Sequence, residues 1–340
     1  VVLELHTHDR MPAERLCAEW EQLVAQDPVG TVFQGPRYLR VWQSTLGEGV
    51  PVRVHTLHRD GRLVGVVPDA NDLQGAPAGP EEIRRFQGGT EVTDYLGPVS
   101  RSEDRADVAD AYLANLATDV DWDEFVAGGL ARDGGWAQAL GSAATANGLT
   151  VFAEDVEDVC PRVPLPGSYD DYLAALPGKL RQELTRKTRK LARDAGELEL
   201  VQVPADEVVD QLDGFLDQAA ESFPDKAGFF RREDMHAWFR SLAEEFVGDD
   251  VFRLHHLEVG GLTAASTISL VHHGEWGLYN SSFDPTLGSL APGMVVVPLL
   301  IEQAANEGCR AVDLLRGGEP YKYRFGAVDR PLDRLTIVKS

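Results

Sequence analysis

The sequence predicts an α/β protein built from two similar halves, and three observations carry that reading. First, 340 residues are long for one hydrophobic core, and two domains of about 150–180 residues are expected. Second, two stretches set 200 residues apart both read as β-hairpins and share residues at Arg53/Arg253, His55/His255, Leu57/Leu257 and Gly61/Gly261. Third, the C-terminal part runs strand, loop, helix, strand, the order of a βα unit.

Taken along the chain, a helix is expected at 36–46. It is followed by "PVRVHTLHRDGRLVGVVP" (51–68), two alternating apolar runs around the turn dipeptide Asp60-Gly61. Pro- and Gly-rich "DANDLQGAPAGPEE" (69–82) is expected to be a loop, and "PRVPLPGS" (161–168) the linker between halves. In "PGKLRQELTRKTRKLARDAG" (177–196), Leu180, Leu184 and Leu191 recur near helical spacing. Pro177 fits the first turn of that helix and Gly196 its end. A helix at 232–246 precedes the second hairpin, "VFRLHHLEVGGLTAASTISLV" (251–271), just as the helix at 36–46 precedes the first. The strand "EWGLYNSS" (275–282) leads through "FDPTLGSLAPG" to the apolar helix "MVVVPLLIEQAANEG", which ends at Gly308, and then to the strand "RAVDLLR" (310–316). Pro298 complicates that helix, because proline lacks a donor and disfavours helical geometry before it. Either the helix begins near Val297 or its first turn is distorted.

Composition narrows the function. Hydrophobic residues at 43% and charged residues at 26% fit a soluble globular protein. No stretch reaches the roughly 18 apolar residues of a membrane span, so no integral membrane association is expected. The start lacks a basic region followed by an apolar core, so no secretory signal is expected. Cys17, Cys160 and Cys309 are far apart and form no C-x-x-C pair. Neither a disulfide framework nor a zinc site is suggested, and a reducing cytoplasm is the expected setting. The 55 acidic and 32 basic side chains give a formal charge of −23, a field that repels DNA and anionic membranes. Local exceptions therefore carry information.

The helix at 177–196 is one exception: seven bases face only Glu183 and Asp194. Two readings stay open, a helix that docks by its leucines and shows charge to water, or a wall of a phosphate-bearing substrate site. "DLLRGGEPYKYRFG" (313–326) is the other, with Arg316, Lys322 and Arg324 among aromatics behind a Gly-Gly bend. If 321–325 is a strand, Tyr321, Tyr323 and Phe325 share one face, and Lys322 and Arg324 the other. A solvated edge strand and an anion-gripping pocket both remain open. The loop before the apolar helix would present backbone N–H groups at a helix N-terminus, which suits an anion.

At this point the residues resemble a family. "DLLRGGEPYKYRFG", the "SLAPG" loop and "LPGKLRQELTRKTRKL" resemble signatures of the BioF2-like/CelD-type acetyltransferases of the GNAT superfamily, which is close to the FemAB-like transferases. "VFQGPRYLRVW" (32–42) and "FQGGTEVTDYLG" (86–97) are similar to the same pattern, so the likeness covers roughly residues 30–339. It implies tandem GNAT-like (acyl-CoA N-acyltransferase) domains, with mixed sheets flanked by helices, at 1–165 and 166–340. The second would carry the basic helix 178–195 and a donor-binding loop at 288–294. The implied reaction moves an acyl group, acetyl first, from acyl-CoA to an amine of a small or phosphate-bearing acceptor, without a metal. In FemAB-like relatives the donor is an aminoacyl-tRNA. One departure stands out: the usual pyrophosphate loop carries Arg or Gln and then glycines, whereas this chain has Leu290-Ala291-Pro292-Gly293. A degenerate pair that binds a ligand or protein without catalysis is the alternative.

Acyl transfer needs a neutral amine, a donor held close, stabilisation of the carbonyl oxygen and a proton donor for the leaving group. Carried over from the resemblance, Tyr323 is the expected acid and Lys322 the cationic oxyanion or phosphate partner. Glu319 or Asp313 is the expected base or orienting carboxylate. Pro292, Gly293, Met294 and Arg316 are expected at the donor. Asp94, Tyr95, Lys187, Arg189, Lys190, Asn280, Asp284 and Tyr321 are expected at the acceptor. Structural readings stay open for several of them: Asp284 as a turn residue before Pro285, and Asp94-Tyr95 as packing between the halves rather than a cleft contact. "LHTHD" (5–9), His255-His256 and His272-His273 lack the context or spacing of metal ligands. No Walker loop, nucleophile elbow or dinucleotide fingerprint is present.

Overall fold

The described residues of this computed structural model, 3–71 and 83–339, fall into two units. One is Val1–Val159 with Arg330–Ser340, and the other is Cys160–Asp329. The loop expected at 69–82 lies, from 72 onward, outside the described residues. In chain order the elements are β1 (Glu4–His8), α1 (Glu14–Gln26), α2 (Pro36–Ser44), β2 (Val52–Arg59), β3 (Arg62–Asn71), β4 (Ile83–Phe86), β5 (Val99–Ser100), α3 (Arg105–Thr118), β6 (Glu124–Ala131) and α4 (Trp136–Ala146). After β7 (Leu149–Pro164) come α5 (Tyr169–Ala175), α6 (Gly178–Ala195), β8 (Leu198–Gln202), α7 (Val208–Ser222), α8 (Ala227–Phe230) and α9 (Glu233–Phe246). Then follow β9 (Phe252–Val259), β10 (Leu262–His272), β11 (Glu275–Phe283), α10 (Pro292–Asn306), β12 (Ala311–Asp313) and β13 (Val328–Lys339).

Each unit is a mixed sheet flanked by helices, the α/β architecture that the sequence predicts. In the first unit the order is β1-β2-β3-β4-β6-β13, antiparallel except where β4 meets β6 in parallel. In the second it is β8-β9-β10-β11-β12, followed by the end of β7, and the parallel step is β11 on β12. The terminal strand, which the sequence groups with the second half, thus pairs with β6 in the first unit. The chain passes between units at Val159–Cys160, inside β7, because Pro161–Pro164 pair or lead into pairing with β12 rather than forming a linker.

The two hairpins repeat as expected. Asp60 and Gly61 have φ of 52° and 73°, and Gly260 and Gly261 have 57° and 83°, so both turns carry the paired positive φ of a type I′ hairpin. Leu57 and Leu257 are both fully buried. In the first unit α3 and α4 bring Tyr112, Leu116, Trp136 and Leu140 onto Phe125 of β6 and Leu335 of β13. In the second, Val295, Val296, Leu300 and Ile301 of α10 pack with Trp276 and Leu278 of β11 and with Leu184 and Leu191 of α6. That apolar surround carries α10 through Pro298: the helix starts at Pro292, and the proline lies inside it. What Pro298 removes is the N–H that would bond the carbonyl of Met294.

The histidines of the two hairpins differ in their partners. His55 bonds Thr7 Oγ1 at 2.9 Å and Asp69 at 3.0 Å, and Tyr112 donates to the same carboxylate at 2.8 Å. Asp69 stands opposite Arg53 in register; the residue opposite Arg253 is Ser269, which accepts the Trp276 indole N–H at 2.8 Å. Burial, and then the charge of Arg253, push the pKa of His255 down to about 4 from 6.5. The unfolded chain therefore binds a proton that the native imidazole refuses. Stability should fall as pH drops from 6.5 towards about 4, by up to about 3 kcal/mol. Urea midpoints measured across that window should decline in the wild type, and His255→Gln should flatten the decline. An equal slope in both proteins would remove His255 as its cause.

Candidate active site

β11 and β12 run together for only three pairs, from Glu275↔Ala311 to Gly277↔Asp313. β11 continues along β10 to Phe283, while the chain beyond Asp313 turns away. Asp313 builds that turn: its Oδ1 accepts the N–H of Leu315 at 2.8 Å, and Leu315 sits at φ 57°. A leucine in the left-handed region costs roughly 1–2 kcal/mol, so the surroundings must hold it there. Beside the divergence β11 carries a bulge, because the register with β10 jumps from Ile268↔Asn280 to Ser269↔Leu278 and leaves Tyr279 extra. The strands thus open a wedge, with Leu278–Phe283 along one arm and residues 314–325 leaving from the other. The first unit has the same three-pair parallel step, from Ile83↔Glu124 to Arg85↔Val126. There the chain fills its own wedge: Leu96 donates to the Gly129 carbonyl at 3.0 Å, and Tyr95 is buried beneath the Arg330 guanidinium, 5.0 Å from its ring centroid.

The expected strand at 321–325 is instead a 3-10 turn, Lys322–Phe325. Its repeat is three rather than two, so Lys322 and Phe325 are the residues that face inward. The expected aromatic row is thereby split. Phe325 joins the core, while Tyr321 is exposed and meets Phe325 edge-on at 6.5 Å between ring centroids. Lys322 is 3% exposed, and its ammonium donates to the carbonyls of Leu315 at 2.9 Å and of Arg316 and Gly317 at 2.8 Å. It also pairs with Glu319 Oε2 at 2.9 Å. An ammonium has three donors, and here each reaches a loop carbonyl. Lys322 therefore organises the loop rather than pointing out of it as the expected oxyanion partner.

The neighbouring groups follow from this. Burial raises the pKa of Glu319, but the hydrogen bond and charge of Lys322 outweigh it and leave the carboxyl below its ordinary value. Glu319 is a counter-ion, not a poised base. Asp313 is likewise buried and engaged in its turn, with Arg162 Nε 3.8 Å away. Gly317 has φ 104°, and a Cβ there would lie 2.7 Å from Glu319 Oε2. Tyr323 donates its hydroxyl proton to Asp329 Oδ1 at 2.7 Å. Burial, and then the charge of Glu319, push Tyr321 up to about 12. Arg324 pairs with Glu183 at 3.1 Å, tying the turn to α6, and Arg316 is half-buried.

The start of α10 differs from the expected row of three amides. Pro292 has no N–H, and Met294 donates its own to the Ala291 carbonyl at 3.0 Å. Of the three, Gly293 is left to face a ligand. A Cβ at Gly293 would meet nothing nearer than Phe283 Cδ1 at 3.6 Å, an ordinary contact, so the fold itself does not require glycine there. Ala291, the cap, sits at φ 53°. Asp284 takes its turn reading: Oδ1 accepts the Thr286 N–H at 2.8 Å and the Thr286 hydroxyl at 2.7 Å. Asn280 is half-buried on β11, opposite Ile268.

On α6 the leucine seam docks and the bases divide. Arg181, Arg186, Arg189, Lys190 and Arg193 line one open outer groove, and Lys187 is not among them. Lys187 lies about a quarter-turn away, on the flank of the seam, and is half-buried. Asp194 is held by Lys190 at 3.3 Å and by Arg193 at 2.7 Å. Asp94 and Tyr95 belong to the first unit, and Asp94 is half-buried. His256 bonds Ser266 and Gln211, each at 2.8 Å. Among the described residues no group of three or more His, Cys, Asp or Glu could hold a metal ion, and no helix is long and apolar enough to cross a membrane. Sequence reasoning missed Tyr279, Leu315 and Asp329. A bulge and a left-handed leucine leave no local signal, and Asp329 becomes a partner only once the turn at 322–325 is formed.

Residues 178–323 match the family model described as Acetyltransferase (GNAT) domain. No curated protein matches the chain in sequence. Among solved structures the chain is similar to FemX, with a TM-score of 0.67 at 10% identity over 97% of this chain and 96% of that one. It is also similar to a conserved protein of unknown function from Bacteroides thetaiotaomicron VPI-5482, with a TM-score of 0.60 at 15% identity over 99% and 100%. L-PGS from Bacillus licheniformis follows with a TM-score of 0.56 at 13% identity over 97% and 93%. At these identities the likeness establishes the fold.

Lys322 is open to a direct check. Lys322→Met should destabilise the protein by about 2–4 kcal/mol, because three carbonyls lose their donor and Glu319 its counter-ion. Tyr323→Phe, which removes one hydrogen bond at a half-exposed site, should cost less than about 1.5 kcal/mol. Thermal denaturation of both variants reads the difference; a Lys322→Met protein as stable as the wild type would show that the ammonium does not hold the loop.

Proposed function

We propose, from the match of residues 178–323 to the GNAT acetyltransferase domain model, that this chain moves an acyl group from acyl-CoA to the amine of a small, anionic acceptor. The observation that carries this reading is the wedge between β11 and β12. An extended donor chain suits the unpaired arm of β11, as a peptide suits an exposed sheet edge. The N–H of Gly293 and the start of α10 suit the donor's phosphates. The absent Cβ at Gly293 supports this, since nothing in the protein takes that space.

The tyrosine's role is the reverse of the one its position first suggests. Its proton already points at Asp329, so Tyr323 offers lone pairs. In the proposed step the amine nitrogen bonds the carbonyl carbon. Its proton passes to Tyr323 Oη as the phenolic proton passes to Asp329. The C–S bond then breaks, and the thiolate leaves and is protonated from the relay or from water. The outward bases of α6 act at a distance, steering anionic substrates towards a chain that otherwise repels them.

Two sets of variants test this, followed by release of free CoA thiol from acetyl-CoA with a panel of primary amines. Tyr323→Phe and Asp329→Asn should each lower kcat by roughly 10²–10³-fold. Were Tyr323 a simple acid, Asp329→Asn would keep its activity, and a fully active Tyr323→Phe enzyme would remove the residue from the chemistry. Arg186→Gln with Arg189→Gln should raise KM at low salt and leave kcat unchanged, with the effect fading as salt rises. Unchanged kinetics at low salt would make the helix a solvated face.

A further inference from the structure

The grip of Lys322 has a consequence on the far side of its loop. The chain has no cis peptide bonds among its described residues. In a planar trans peptide the C=O of one residue and the N–H of the next point in opposite directions. The carbonyls of Leu315, Arg316 and Gly317 converge on a single ammonium. The N–H groups of Arg316, Gly317 and Gly318 are therefore turned away from it. Among the described residues no hydrogen bond takes the N–H of Gly317 or Gly318. Consecutive N–H groups gathered this way, in a loop that mixes left-handed and ordinary residues, make an anion-binding concavity. Leu315 at φ 57° and Gly317 at φ 104° supply the left-handed steps.

The charges around the loop agree. Two carboxylates lie near the loop: the charge of Glu319 is paired with Lys322 on the carbonyl side, and Asp313 is engaged by the Leu315 N–H at 2.8 Å with Arg162 Nε 3.8 Å away. Lys226, at the end of the 3-10 turn Pro224–Lys226, is near enough for its charge to act on Glu319. Arg316 belongs to the loop itself, and Gly318 is exposed, so an incoming group meets backbone rather than a side chain. With a formal charge of −23 the chain as a whole repels anions, and any anion held here is held by local donors.

We infer that the N–H groups of Gly317 and Gly318 form a backbone anion site, organised from behind by Lys322, that takes a carboxylate or phosphate group of the acceptor. Lys322 is then a positioning residue that touches no substrate. Only the word acceptor rests on the acyltransferase reading; the site binds its anion with no donor present, so the two readings fail separately.

The test follows the ¹⁵N–¹H signals of Gly317 and Gly318 in the wild-type protein. Inorganic phosphate and acetate are titrated in turn at constant ionic strength. A saturable downfield shift of both amides with either anion supports the site, and the anion that saturates first identifies the group it prefers. Shifts no larger than that of Gly261, in a surface turn, with both anions would overturn it. Gly318→Pro removes one N–H at an exposed position and should weaken binding roughly tenfold, the loss of one charge-assisted hydrogen bond. Binding unchanged in a folded Gly318→Pro protein would overturn the assignment; if that variant does not fold, the wild-type titration decides alone.

Discussion

A buried ammonium sets the shape of the chain where the two parallel strands part. Lys322 collects three consecutive carbonyls and one carboxylate, and each would otherwise be a poorly satisfied acceptor beside an apolar core. The same interaction explains why Leu315 tolerates a left-handed backbone and why Gly317 must be glycine. It also explains why 322–325 winds as a 3-10 turn with Phe325 inward. It acts together with the Asp313 turn, the Arg324–Glu183 pair and the buried Phe325, which anchor the second arm of the wedge away from β11. The cation expected as a reagent is instead the group that organises its own loop.

The two units show what that device adds. Both have the same succession of strands and the same three-pair parallel step. In the first, Leu96 and Tyr95 close the step with their own packing, and the histidine of the hairpin has its carboxylate in Asp69. In the second, the step opens, and the matching histidine faces Ser269's strand with no carboxylate hydrogen-bonded to its ring among the described residues. One scaffold has been filled in one copy and left open in the other, so chemistry is expected of the second.

How much of this the sequence discloses depends on how local each cause is. The hairpins at Asp60-Gly61 and Gly260-Gly261 were legible because turn chemistry lies within four residues. Helix α6 was legible because Leu184 and Leu191 repeat with the helix, and its bounds because Pro177 and Gly196 flank it. The strand at 310–316 shortened to Ala311–Asp313, because Asp313 turns the chain onto carbonyls that Lys322, nine residues later, holds in place. "YKYRF" alternates like a strand, and only the burial of Lys322 changes its period to three. Pro298 looked like a helix boundary, yet the packing of Val295, Leu300 and Ile301 carries the helix through it. That Pro292 has no amide to offer was written in the sequence itself, while the use of Met294's amide by Ala291 needed the fold.

The most direct measurement of the central claim is a calorimetric titration of the full chain with acetyl-CoA, a longer acyl-CoA and an aminoacyl-tRNA. The same acyl-CoA titrations would be repeated on Gly293→Val. The account predicts one acyl-CoA bound per chain. It also predicts at least about tenfold weaker binding in the variant at an unchanged thermal midpoint, because the added side chain blocks approach to the N–H of Gly293 without meeting a close protein neighbour. Binding of the aminoacyl-tRNA alone, or acyl-CoA affinity untouched by Gly293→Val, would contradict it.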